Sequence, residues 1–182
     1  MRTLIDYSPA ILSAFRKRNQ RRLRKLNDHV LHDAALESNR INFNLAIVSY
    51  VLSKIVSKPR FLKREYDSCY VDVEFALSHL VKCAKRGDEE QVLECFKDIE
   101  KAIACFDNKD PRFAISLITK GKLKMAATFY AQGMSLGVAS EMTGMEKHEI
   151  LDYAGQTMMF DRLKEEKTLK ERMKIARQLI SG

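Results

Sequence analysis

Residues that interrupt helices are sparse in this sequence, and their scarcity limits the possible folds more than any other feature. Proline occurs only at positions 9, 59 and 111, and the first glycine is residue 87. Helix-forming residues fill the intervals, and no long alternating run of β-branched residues appears. The pattern predicts an all-α fold with long helices and short connections.

Apolar periodicity and capping signals divide the first part of the chain into a helical bundle. Ser8-Pro9 predicts the start of a helix that runs to about residue 26, and Asn27-Asp28 predicts a cap for a second helix over about 29–57. A third helix over about 66–85 precedes Gly87-Asp88, which predicts a tight turn into an antiparallel partner that ends near residue 106. Pro111 is expected to start another helix.

The sequence therefore predicts two domains. Residues 1–120 form the helical bundle, whose first helix is strongly basic. Residues 121–182 form a unit of three short helices and a C-terminal helix over about 161–180, on which leucine, methionine and isoleucine recur along one seam.

The formal net charge of +8 is concentrated at the two ends of the chain. Residues 1–26 hold eight basic groups and one acidic group, and residues 161–182 hold seven basic and four acidic groups. Such a concentration favours contact with a polyanion, although a solvated helix surface is the alternative. The candidate contacts are Arg16, Lys17, Arg18, Arg21, Arg22, Arg24 and Lys25. Aromatic residues do not interleave with them, so stacking on single-stranded bases is not indicated.

Residues 122–156 carry the most specific pattern in the chain. The first predicted helix covers 122–132 and stops at Gly133, and Ser135 can cap a second over 136–142. Gly144 then makes a tight turn into a third over about 146–154. Over these residues the chain resembles helix-turn-helix transcription factors and antitoxin-like regulators. The residues that carry the resemblance are Ala139, Ser140, Gly144, Met145, Ile150 and Tyr153.

The resemblance implies a DNA-binding regulator that acts as a homodimer, with the third helix in the major groove. Lys147 and His148 would then reach base edges, while Lys122, Lys124 and the basic ends would contact phosphates. In the implied motif Ser140 is the small residue at the helix crossing and Gly144 supplies the positive φ. The third helix also carries acidic residues, so a protein-interaction module with no nucleic-acid contact is the alternative hypothesis.

The sequence contains no pattern typical of an enzyme or a cofactor site. No phosphate-binding glycine loop, G-x-S-x-G or H-E-x-x-H occurs, so neither catalysis nor a cofactor is expected. A remote alternative is a ribonuclease of the HEPN type, which Arg24 followed by His29 resembles in spacing.

Neither a metal site nor a membrane span is predicted from the sequence. The four cysteines, at 69, 83, 95 and 105, show no C-x-x-C spacing and are interpreted as buried free thiols. No signal peptide or membrane span is recognised, so a cytoplasmic protein without membrane contact is expected.

Overall fold

The computed structural model describes residues 2–37, 39–110 and 115–159 together with residues 173 and 177. Eight α-helices make up most of the first three of these segments. No strand occurs in these residues, and the all-α prediction is confirmed. Two short 3₁₀ turns, Pro59–Leu62 and Arg64–Tyr66, connect the third helix to the fourth. The helices are α1 (Arg2–Arg16), α2 (Gln20–Glu37), α3 (Arg40–Ser57), α4 (Asp67–Arg86), α5 (Glu89–Lys109), α6 (Leu117–Ala131), α7 (Leu136–Thr143) and α8 (Lys147–Gln156). The predicted helix start at Pro111 and the predicted C-terminal helix fall outside the described residues, apart from positions 173 and 177.

The basic N-terminal segment is two helices, so the prediction of one helix from Ser8 to about residue 26 was wrong. Pro9 lies inside α1 rather than at its start. The chain turns at Arg18, whose φ is 47°, and the Asn19 N–H donates to the carbonyl of Ala14. The Asn19 side chain then accepts a hydrogen bond from the Arg22 N–H at 3.0 Å, which caps α2.

The long second helix was also predicted wrongly, because the chain breaks again between α2 and α3. Asn39 caps α3 by accepting a hydrogen bond from the Ile41 N–H at 2.7 Å. Asn27, predicted as a cap, is instead buried inside α2. Its side-chain amide donates to the Ala46 carbonyl at 2.8 Å and to the Ser49 hydroxyl at 2.9 Å, both on α3. A buried amide with partners on the next helix stabilises one register of the α2–α3 pair.

The core of the bundle is built around large aromatic side chains. Phe106 of α5 lies 5.2 Å from Phe61, 5.8 Å from Tyr66 and 5.1 Å from Tyr70, measured between ring centroids. Phe15 of α1 stacks on Tyr70 at 5.4 Å. These rings join α1, α4, α5 and the 3₁₀ turns in a single hydrophobic core that α3 crosses. Edge-to-face and stacked aromatic pairs add stability beyond their buried area.

Helices α4 and α5 form the predicted hairpin. Gly87 adopts a φ of 79° at the end of α4, and the Asp88 carboxylate accepts from the N–H groups of Glu90 and Gln91. A disulfide joins Cys69 to Cys105 at the open end of the hairpin, with a Cα separation of 5.6 Å. Cys83 and Cys95 are paired nearer to the turn. The interpretation of the cysteines as free thiols was therefore wrong, because the antiparallel packing places each cysteine of α4 opposite one of α5.

A second, smaller core lies under α6, α7 and α8. Its buried members are Ala126, Ala127, Ala139, Ile150, Ala154 and Met159. Helix α6 starts at Leu117, before the predicted domain boundary at residue 120, and its first half packs on α3 of the bundle. A Cβ atom added at Gly121 would stand 2.5 Å from Cγ2 of Val51, so the two helices approach closely there. The three-helix unit is therefore joined to the bundle through one continuous helix.

Candidate nucleic-acid interface

Short local contacts fix the turn between α7 and α8. Ser135 caps α7 by accepting from the Val138 N–H at 3.2 Å. Gly144 has a φ of 70°, and the Ser140 hydroxyl donates to the Met145 carbonyl at 2.7 Å across the turn. Ile150 is fully buried in the small core, with Met145 and Tyr153 half-buried beside it. The sequence-predicted motif residues thus lie together and set the angle between the two helices.

The outer face of α8 carries both signs of charge. Lys147 and His148, the predicted base-reading residues, are exposed on its first turn. Glu149 and Asp152 are exposed as well, and the side chain of Glu149 accepts a hydrogen bond from the Glu146 N–H at 3.2 Å. Negative side chains at a helix N-terminus offset its positive dipole, so the first turn of α8 is a weak anion site by itself.

Lys122 and Lys124, the two lysines of α6 that were predicted to contact phosphates, make contacts within the protein. Lys122 pairs with Glu100 of α5 at 3.0 Å, and both side chains are about one-quarter to one-third exposed. Lys124 Nζ lies 3.3 Å from Sδ of Met159. Lys122 must therefore leave its ion pair with Glu100 before it can contact another anion. Lys124 faces a cleft between α6 and the bundle.

The seven N-terminal cations divide into three groups. Arg16 pairs with Glu74 at 3.4 Å, and Arg18 pairs with Asp67 at 3.5 Å while its guanidinium lies 4.2 Å from the centre of the Tyr70 ring. Arg24 faces the same cleft as Lys124. The remaining four are exposed, and within the described part of the chain no ion pair involves them; they form the α2 patch, which consists of Lys17, Arg21, Arg22 and Lys25.

The cleft lies where α2, α3 and α6 meet the end of α8, and it is lined by three basic side chains. Arg24, Lys54 and Lys124 line a cavity of about 370 Å³, which we call the basic cleft, and Met159 also lines it. Asp28 is the acidic residue in the lining. A concave surface lined mainly by positive charge raises the local concentration of anions.

Tyr50 connects the basic cleft to α8. Burial, together with the nearby Tyr153 of α8, raises the pKa of Tyr50 to about 12, although Arg24 acts in the opposite direction. Lys54 Nζ lies 5.2 Å from the centre of the Tyr50 ring. Arg24 of α2 is therefore close to the C-terminal end of α8.

Positive charge continues along α3 and α6 beyond the cleft. Burial, together with the neighbouring cations Arg60, Lys120 and Lys54, lowers the pKa of Lys58 to about 8, although Asp107 acts in the opposite direction. Lys54 lies in the last turn of α3 and Lys58 is the residue that follows the helix. Lys120 and Lys124 are four residues apart on α6, so they lie on one helix face. Lys54, Lys58 and Lys120 were not among the contacts predicted from the sequence. The two i, i+4 lysine pairs were the available signal, but only the packing of α3 on α6 brings them together.

The residues of the ribonuclease alternative are not brought together. Arg24 faces the basic cleft, whereas the ring of His29 stacks on Tyr7 of α1 with centroids 6.5 Å apart. Residues five apart on a helix point about 140° away from each other. This arrangement does not provide the paired active-site groups that the hypothesis requires.

Among the described residues, no helix combines the length and apolarity that crossing a membrane requires. Comparison of the chain with protein-family models, with curated proteins and with solved structures finds no match in any of the three.

Proposed function

We propose that this chain is a DNA-binding regulator of the helix-turn-helix type, in which α7 and α8 form the motif. Helix α8 enters the major groove and presents Lys147 and His148 to base edges. The α2 patch and the basic cleft contact phosphates beside it. The observation that carries the proposal is the position of the basic cleft, with Arg24 of α2, next to the C-terminal end of α8, since phosphate contacts supply a large share of the affinity for DNA.

Some of the predicted cations already have an acidic partner within the fold, and this refines the predicted set of phosphate contacts. The α2 patch and Arg24 are better placed for phosphates than Arg16, Arg18 and Lys122, which must leave an acidic partner first. The sequence-based assignment of Lys124 is retained through its place in the basic cleft. We include a homodimer in the proposal, because two-fold proteins match symmetric half-sites.

Salt-dependent binding to random duplex DNA, and to RNA of matched length, tests the phosphate contacts by fluorescence anisotropy. The triple variant R21A/R22A/K25A removes three cations of the α2 patch, which should reduce the slope of log K against log salt by up to about 2.7. The matched control is K82A/K85A/R86A, which removes three exposed cations at the far end of α4 and should leave the slope nearly unchanged. Equal losses in the two variants would indicate a diffuse charge effect rather than this interface.

Sequence reading by α8 needs a separate measurement. Duplexes selected from a random pool by the unaltered protein should share a preferred sequence, and the variant K147A/H148A should relax that preference while retaining the salt slope. Because both side chains are exposed, this variant is expected to keep its fold. An unchanged preference would show that α8 does not read the bases as proposed.

A protein-interaction module is the second candidate, and the outer face of α8 favours it. Leu151 is 44% exposed between the acidic residues Glu149 and Asp152, a combination more typical of a protein contact than of DNA. Absence of DNA and RNA binding at low salt would support this candidate. A Leu151→Arg variant that dissociates a homodimer in analytical ultracentrifugation would identify α8 as the contact between two copies.

A further inference from the structure

Three side chains that favour soft metal ions meet between α4 and α5, on the face of the hairpin near its turn. His79 and Cys83 are four residues apart on α4, so they share one helix face. Cys95 faces them from α5, with its Sγ 3.7 Å from Nδ1 of His79. One ligand atom from each of the three residues lies within 4.8 Å of the other two.

The spacing of the backbone suits a shared metal ion better than a sulfur–sulfur bond. In the structure Cys83 and Cys95 are joined as a disulfide, yet their Cα atoms are 7.3 Å apart. Disulfides usually join Cα atoms separated by about 4.4–6.8 Å, as Cys69 and Cys105 do at 5.6 Å. Two thiolates on one tetrahedral Zn²⁺, with bonds of about 2.3 Å, stand about 3.8 Å apart and therefore fit a wider pair of backbones.

We propose that, when Cys83 and Cys95 are reduced, His79, Cys83 and Cys95 bind one Zn²⁺ ion. Both cysteines are buried, whereas His79 is exposed. Binding releases the two thiol protons and leaves the imidazole neutral at the nitrogen that binds the metal. Two thiolates and one imidazole form a ligand set that selects zinc over the hard cations Mg²⁺ and Ca²⁺.

The fourth coordination position of this ion is open. His79 borders a surface depression of about 430 Å³, which is also lined by Phe75 and Asp98. Within the described residues no fourth cysteine, histidine or carboxylate joins the group of three. A zinc ion with three protein ligands binds water or an exogenous ligand in its fourth position. The depression gives such a ligand access from solvent.

Titration of the full-length chain with Co²⁺ tests the site, since tetrahedral Co²⁺ with thiolate ligands has a strong visible and near-ultraviolet spectrum. The protein is reduced with a phosphine, freed of metal with a chelator and kept without oxygen. We expect one Co²⁺ per chain with thiolate charge-transfer absorption, displaced by an equimolar amount of Zn²⁺. C83S and C95S should each weaken Co²⁺ binding by at least tenfold.

Two further variants separate metal binding from folding. H79A changes an exposed side chain, so it should keep its helical content while its Co²⁺ affinity falls at least tenfold and its spectrum changes. C69S/C105S removes the other cysteine pair, and because reductant opens that disulfide in every sample, the variant should bind Co²⁺ as the unaltered chain does. The proposal is overturned if the reduced chain binds no stoichiometric Co²⁺, if H79A binds it unchanged, or if C69S/C105S abolishes binding.

Discussion

The core of the bundle is built around large aromatic side chains, whereas the core of the three-helix unit consists largely of small ones. The bundle buries a cluster of aromatic rings centred on Phe106, whereas four of the six buried residues beneath α6, α7 and α8 are alanines. Large rings remove much apolar area from water and stabilise the fold strongly. Alanines contribute less area but let helices approach closely. The bundle therefore provides most of the stability, and the unit provides a defined arrangement of short helices.

The largest effect that tests this difference is expected at the centre of the aromatic cluster. Phe106→Ala should lower the free energy of unfolding by about 3–5 kcal/mol, because it leaves a cavity among rings on three elements. Chemical denaturation followed by circular dichroism measures the change. Phe75 is 77% exposed, so Phe75→Ala is the matched control and should change stability by less than about 0.5 kcal/mol. Comparable losses in both variants would refute the special role of the cluster.

The close approach of α6 to α3 gives the next largest effect. Gly121→Ala places a methyl group 2.5 Å from Cγ2 of Val51, which is buried and β-branched, so the change should cost about 1–3 kcal/mol. Gly155→Ala meets no atom within 4 Å on α8 and should increase stability by up to about 1 kcal/mol, since alanine favours helix. Thermal and urea unfolding of both variants measure the opposite signs. If G121A is as stable as G155A, the two regions are less tightly joined than the contacts indicate.

Within the three-helix unit, we expect a smaller effect on stability from the hydroxyl of Ser140. Ser140→Ala leaves the Met145 carbonyl without its 2.7 Å donor and should cost about 1 kcal/mol. Hydrogen exchange should quicken in α7 and α8 while protection in α4 and α5 stays the same. The Thr157 hydroxyl donates to the carbonyl of Tyr153, four residues earlier, so Thr157→Ala serves as a near-neutral control. Faster exchange throughout the chain would mean that the unit and the bundle unfold together.

The smallest effect concerns Lys58, at the border of the two regions. Its pKa is about 8 in the folded protein, below its ordinary value, so between pH 8 and about 10.5 the unfolded chain binds more protons than the folded one. Stability should therefore rise with pH across this window and lose that contribution as pH falls through 8. After allowance for the partial exposure of Lys58, the rise should be on the order of 1 kcal/mol or less.

Unfolding by urea at several pH values measures the Lys58 effect. Lys58→Met should flatten the dependence between pH 8 and 10.5, whereas Lys63→Met, a change at a nearby exposed lysine, should retain it. A rise that persists in K58M would assign the titration to another group.

The sequence predicted those parts of the fold that depend on local chemistry. Gly87, Asp88, Ser135 and Gly144 act through their own backbone and the next few residues, and the turns they make are as predicted. The breaks at residues 17–19 and before Asn39 were missed because capping asparagines occur at several places. Only the packing of α2 on α3 determines that Asn27 is buried while Asn19 and Asn39 act as caps.

The candidate sites were predictable only where one helix contains them. The exposed cations of α2 and the first turn of α8 follow from sequence alone. The basic cleft depends on residues of α2, α3 and α6 that are up to a hundred positions apart, and neither its shape nor its membership has a local signal. The pairing of the cysteines likewise depends on the register of the α4–α5 hairpin, which no cysteine spacing reveals.

The buried amide of Asn27 has a consequence for any ligand that the basic surface binds. Its two donors are matched to the carbonyl of Ala46 and the hydroxyl of Ser49, and a shift of α2 along α3 by one residue would leave them buried without acceptors, which is costly. Arg24, three residues before Asn27, and Lys54, five residues after Ser49, are therefore held at a fixed offset. The spacing between these two positive charges should therefore stay the same when a ligand binds.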